Sequence, residues 1–115
     1  MVVLSVDSLF DAAIRIMLQE RSISITFTPD CLSIKFPTTR RLAEFLDVPH
    51  YYVLPYFATM EQEMLVTRAE RVGILTTKKG SEKMIGIMLS RYRDESRGIL
   101  GNAILSELAR TFGEK

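Results

Sequence analysis

The sequence predicts a single α+β domain of 115 residues, and three features of its patterning point there. Apolar residues recur at intervals of three and four over 7–21, 38–48 and 96–115, the period of a helix face; over 22–36 they alternate, the period of a half-buried strand. Two further β-favouring runs flank a glycine-bearing segment at 78–82, the pattern of a hairpin. With 47% hydrophobic and 25% charged residues the chain is too apolar for disorder, and its length suffices for one core.

The first helix is expected from Asp7, its cap, to about Arg21, with Leu9, Phe10, Ala13, Ile14 and Met17 inward and Asp11, Arg15 and Gln19 outward. Ile23, Ile25 and Phe27, then Leu32, Ile34 and Phe36, separated by Pro29 and Asp30, form two short strands. Thr38 caps a short helix that buries Leu42, Phe45 and Leu46 and ends in a tight turn at Asp47 and Val48. Pro49 suits the first turn of the next helix, where a missing N–H costs nothing. That helix carries Val53, Phe57, Met60 and Met64 inward and is expected to continue through Ala69 and Val72 to Gly73. Pro55 leaves two alternatives open: a helix from Pro49 interrupted at Pro55, or a helix that begins near Leu54.

Beyond Gly73, Ile74 to Thr77 and Lys83 to Leu89 are expected to pair as strands around a basic tip, Lys78-Lys79-Gly80-Ser81-Glu82. A last amphipathic helix begins at Ser96 and aligns Ile99, Ala103, Ile104, Leu108 and Phe112. The single domain thus divides into a core over 1–95 and a C-terminal helix over 96–115.

The net charge is +1, so any affinity for nucleic acid must come from local clusters of cations. The lone cysteine, Cys31, excludes an internal disulfide and, with no long apolar run and no leader-like start in Met1-Val2-Val3-Leu4, sets the expectation of a cytoplasmic protein without membrane contact. Amide side chains are confined to Gln19, Gln62 and Asn102, a composition in the direction of thermophilic proteins. No carboxylate pair, nucleophile–base pair or metal-ligand spacing stands out, so neither catalysis nor a cofactor nor a metal is expected. His50 has no second ligand, Cys31 no general base beside it, and Lys78 to Ser81 lacks the upstream glycine of a phosphate loop.

Leu42, Ala43, Leu46 and Val48 stand where the winged helix-turn-helix family places the residues that pack its two helices. Val72-Gly73-Ile74-Leu75, followed by Lys78-Lys79-Gly80-Ser81, is similar to that family's passage from recognition helix into wing. Over residues 38–89 the chain therefore resembles the winged helix-turn-helix DNA-binding family, in the form of small prokaryotic or archaeal regulators. The resemblance implies a three-helix core, a β-hairpin wing and, here, an added C-terminal helix. It also implies a transcriptional regulator that binds double-stranded DNA and forms a homodimer through that last helix, with the recognition helix in the major groove and the wing on the backbone.

One departure shapes the expected contacts. No lysine or arginine lies between Arg41 and Arg68, whereas Glu44, Asp47, Glu61 and Glu63 fall in that interval. Phosphate neutralisation supplies most non-specific affinity, so cations must be borrowed from neighbours of the recognition helix, with Arg40, Arg41, Arg68, Arg71, Lys78, Lys79 and Lys83 as the candidates. The expected DNA contacts are Thr39, Arg40 and Arg41 at the start of the second helix, His50, Tyr51 and Tyr52 at the groove-facing tip, and Lys78, Lys79 and Lys83 on the wing. The alternative is a protein-interaction winged helix, a subunit of a larger nucleic-acid-processing assembly that docks through its acidic, aromatic second and third helices.

Overall fold

The computed structural model describes residues 4–27 and 32–113, apart from the side chains of residues 27, 112 and 113. Within them, α1 (Val6–Glu20) is followed by β1 (Ile25–Phe27) and β2 (Leu32–Phe36), α2 (Thr39–Leu46) and α3 (His50–Gln62). Next come β3 (Val66–Ala69), β4 (Gly73–Thr76), α4 (Lys78–Arg91), α5 (Arg93–Leu100) and α6 (Asn102–Leu108), closed by a π turn at Ala109–Gly113. The strands form one antiparallel sheet in the order β1-β2-β4-β3, so the chain is α+β as its patterning predicts. Pro29, Asp30 and Cys31 lie outside the described residues.

The helix α1 is capped by Ser5, not Asp7: Ser5 and Ser8 exchange side-chain-to-backbone hydrogen bonds at 3.0 and 2.8 Å. Asp7 sits in the first turn, where a carboxylate favours the positive end of the helix dipole. Leu9, Phe10, Ala13, Ile14 and Met17 are all buried, and α1 is the central support on which α2, α3, α4 and α5 pack. An aromatic chain fixes α3 to this support. Phe10 of α1 meets Phe36 of β2 edge-on with centroids 5.2 Å apart, and Phe36 meets Phe57 of α3 at 5.7 Å.

Thr38 caps α2 by accepting from the Arg41 N–H, and Asp47 ends it in the left-handed region at φ 56°, so α3 starts after only Val48 and Pro49. Of the two alternatives left open by Pro55, the helix that begins beside Pro49 is the one formed, with Pro49 as its cap. Pro55 is six residues into α3 and leaves the Tyr51 carbonyl without its usual donor.

The end of α3 differs from expectation. The helix stops at Gln62 instead of continuing to Gly73. Met64 turns left-handed at φ 61° and is 68% exposed, and the chain reverses into β3. The hairpin is β3–β4, with Val66 opposite Thr76 and Ala69 opposite Gly73, and its tip is Glu70, Arg71 and Val72. The expected hairpin from 74–77 to 83–89 does not form: Thr77 caps α4 by accepting from the Gly80 N–H, and Lys78 to Arg91 are helical. Gly80 is a close-approach glycine, since a Cβ there would lie 1.8 Å from the Leu65 carbonyl oxygen.

The C-terminal helix also differs from expectation. It begins at Arg93 and breaks at Gly101, whose φ of 87° suits glycine, and the break shifts the buried stripe to Leu105, Leu108 and Ala109. Ile104 is 43% exposed, and the Phe112 side chain lies outside the described residues.

Candidate nucleic-acid interface

Thr39 and His50 are the first residues of α2 and α3, and the turn between the helices brings them together: Thr39 Oγ1 and His50 Nε2 are 2.7 Å apart. This hydrogen bond locks the two helix starts in one relative position. Arg40 is exposed beside them, and with Glu44, Asp47, Pro49 and His50 it lines a shallow groove across the α2–α3 turn.

Tyr51 and Tyr52 project from the first turn of α3 at 66% and 50% exposure, their rings edge-on at 4.8 Å. Leu54 is also exposed, whereas Val53, Phe57 and Met60 face the core. The outward face of α3 over 51–54 is therefore aromatic and aliphatic, and the helix HYYVLPYFATMEQ contains no lysine or arginine.

The remaining expected contacts divide. Arg41 turns away from this face, its Nε 3.1 Å from Glu20 at the end of α1. Lys83 is on α4, not on a hairpin; its Nζ is 2.5 Å from Asp7 Oδ1 and 5.7 Å from the centroid of the Phe10 ring. The hydrogen bond and charge of Lys83 lower the pKa of Asp7. Lys78 and Lys79 open α4, and Lys79 Nζ donates to the Glu63 carbonyl at 3.2 Å, just past the C-terminus of α3. At 1.5 Å per residue, that is about 20 Å from the tyrosine-bearing tip. The three lysines and the tyrosines thus do not form one contiguous surface, contrary to expectation.

Arg68 and Arg71, expected on an extended helix, stand on the β3–β4 hairpin. Arg68 lies on β3, its Nε 3.4 Å from Glu61 Oε1 at the C-terminal end of α3. Arg71 is exposed at the hairpin tip with φ 67°. The signal for this hairpin was present: Val66-Thr67 and Ile74-Leu75-Thr76 favour strands around Gly73, but Met60, Met64 and Val72 continue a helical rhythm across them.

Among the described residues no group of three or more His, Cys, Asp or Glu is placed to hold a metal ion, and no helix is long and apolar enough to cross a membrane. The chain matches no known family model and no curated protein sequence.

Proposed function

We propose that the chain is a winged helix-turn-helix domain that binds double-stranded DNA and serves as a transcriptional regulator, with α3 as its recognition helix and β3–β4 as its wing. The observation that carries this reading is the juxtaposition of the α2–turn–α3 unit with the β3–β4 hairpin, whose strand β4 pairs with β2 through Lys35–Leu75 and Phe36–Ile74. That arrangement presents a solvent-facing helix beside a projecting hairpin, as insertion into a major groove requires.

In this reading Tyr51 and Tyr52 meet base edges and thymine methyl groups, for which an apolar ring with one hydroxyl is suited. The cations flank them. Arg40 and the free N–H groups at the start of α2 hold one phosphate run, and Arg68 and Arg71 on the hairpin hold another. The Thr39–His50 hydrogen bond keeps the helix tip in register with the phosphate-binding start of α2.

Fluorescence anisotropy on random duplex DNA across a salt series tests this. Affinity should fall linearly in a log–log plot, and Arg40→Ala and Arg71→Ala should each reduce the slope by about 1, while Lys78→Ala leaves it unchanged. Absence of binding at about 20 mM salt, where phosphate contacts are least screened, refutes the reading.

The second reading, a protein-docking module, is favoured by the uncharged exposed face of Tyr51, Tyr52 and Leu54. It takes over if duplex DNA fails to bind. A homodimer through the C-terminal helix has a narrow apolar centre to build on, since Ile104 is the exposed large hydrophobic residue of α6.

A further inference from the structure

Met17, Met60, Met84 and Met88 are core residues at 0–5% exposure, whereas Met64 is 68% exposed. Met1 lies outside the described residues. A thioether left in water is the exception in this chain, and the backbone around it shows that packing does not require it.

Glu63 ends α3, and Met64 follows in the left-handed region at φ 61°. The Leu65 N–H donates to the Met60 carbonyl at 2.8 Å and the Met64 N–H to the Glu61 carbonyl at 3.1 Å, the paired closure in which helices commonly place glycine. The Met64 carbonyl accepts from Thr77 Oγ1, the cap of α4, and the Glu63 carbonyl accepts from Lys79 Nζ at 3.2 Å. The corner from α3 into β3 is thus held through the main chain of residues 60–65, and the Met64 side chain adds little burial to it. A left-handed methionine at the surface carries backbone strain and exposes apolar area, so neither local geometry nor the core favours that side chain here.

We propose that Met64 is a reversible oxidation site, at which a peroxide-class oxidant adds one oxygen to the thioether while the fold stays intact. The Sδ lone pair attacks one oxygen of hydrogen peroxide. The S–O bond forms as the O–O bond breaks, and the departing hydroxide takes the proton from the transferred oxygen and leaves as water. Sulfur is oxidised by two electrons and the peroxide is reduced by two. A sulfoxide is polar, so in a core it disrupts apolar packing, but at Met64 it faces water. Met17, Met60, Met84 and Met88 meet the oxidant only when the structure opens around them, so they react later. Sulfoxide reductases, one for each epimer, reverse the change, and an exposed corner is open to them. The site uses none of the residues assigned to DNA contact.

The test exposes the folded full chain to hydrogen peroxide for increasing times and locates added oxygen by peptide mass mapping. Met64 should react at least about tenfold faster than Met17, Met60, Met84 or Met88. The difference should vanish in denaturing urea, where all five sulfurs meet solvent. The chain oxidised at Met64 alone should melt cooperatively within about 2 °C of the reduced chain, and the two reductases together should remove the oxygen. The proposal is overturned if any of the four buried methionines keeps pace with Met64 in the folded chain, or if the selectivity persists in urea. It is equally overturned by a larger loss of Tm on oxidation at Met64 alone, or by a sulfoxide there that the reductases leave in place.

Discussion

Thr76→Val probes the buried polar link that ties the hairpin to the rest of the fold. The Ile34 N–H donates to Thr76 Oγ1 at 2.8 Å, Thr76 Oγ1 and Ser81 Oγ are 2.7 Å apart, and Ser81 Oγ donates to the Leu32 carbonyl at 2.5 Å. Because Ser81 spends its proton on Leu32 and Thr76 already accepts from Ile34, the Thr76 hydroxyl must donate to Ser81. The result is one directed chain joining β2, β4 and α4, with Thr76 and Ser81 at 1% and 0% exposure. Valine keeps the shape but removes the acceptor of a buried N–H, a cost of about 1–3 kcal/mol, and deletes a hydroxyl contact of about 1 kcal/mol. The expected loss is therefore about 2–4 kcal/mol. The unfolding entropy of a chain of 115 residues is about 240 cal/mol/K, so each kcal/mol lowers Tm by about 4 °C and the variant should melt about 8–16 °C early. Scanning calorimetry measures it, with Ser81→Ala and the double variant completing a cycle. The double variant should cost at least about 0.5 kcal/mol less than the sum of the singles, since both act on one chain. A Tm within about 2 °C of wild type for Thr76→Val, or strict additivity, refutes the directed chain.

Two glycines of α4 should respond in opposite directions. Gly80→Ala meets the Leu65 carbonyl at 1.8 Å, so crowding outweighs the helix-propensity gain and stability falls by at least about 1 kcal/mol; Gly86→Ala, with open space around it, gains about 0.5–1 kcal/mol. Urea titration measures both, and a stabilised Gly80→Ala would disprove the close approach. Stability should also decline at both pH extremes through identified groups. The Lys83 hydrogen bond and charge lower the Asp7 pKa, so this contribution holds above the ordinary carboxylate range and is lost as pH falls through the folded value. Burial and the hydrogen bond to Asp11 raise the Tyr92 pKa, so its contribution holds below the ordinary phenol value near 10 and is lost as pH rises through the folded one. Asp7→Asn should flatten the acid limb and Tyr92→Phe the alkaline limb of Tm against pH; unchanged limbs would show that these groups do not carry it.

Much of the first half was legible because its signals are local. The α1 stripe, the alternation in β2 and the Thr38 cap each sit within a few residues of what they specify, and Leu9, Phe10, Ile34 and Leu42 are buried as their spacing requires. Of the candidate interface, the exposed pair Tyr51 and Tyr52 and the adjoining starts of α2 and α3 follow from the same local reading. The lysines did not, because their placement turned on where α3 ends. Helical spacing runs on past Gln62, and nothing nearby in the chain announces that Val66 will pair with Thr76 or that the Leu65 carbonyl will occupy the space a Cβ at residue 80 needs.

The alternation of helical and strand periods, the α+β class and the absence of cations from the aromatic third helix belong to the amino-acid order, since periodicity and charge are properties of neighbours along the chain. Which cations stand beside that helix was a tertiary decision. Pairing of β3 with β4, and of β4 with β2, satisfies backbone groups that a longer α3 would have satisfied internally, and buries Val66, Ile74 and Thr76 in the same core. That choice puts Arg68 and Arg71 on the hairpin and sends Lys78, Lys79 and Lys83 into α4.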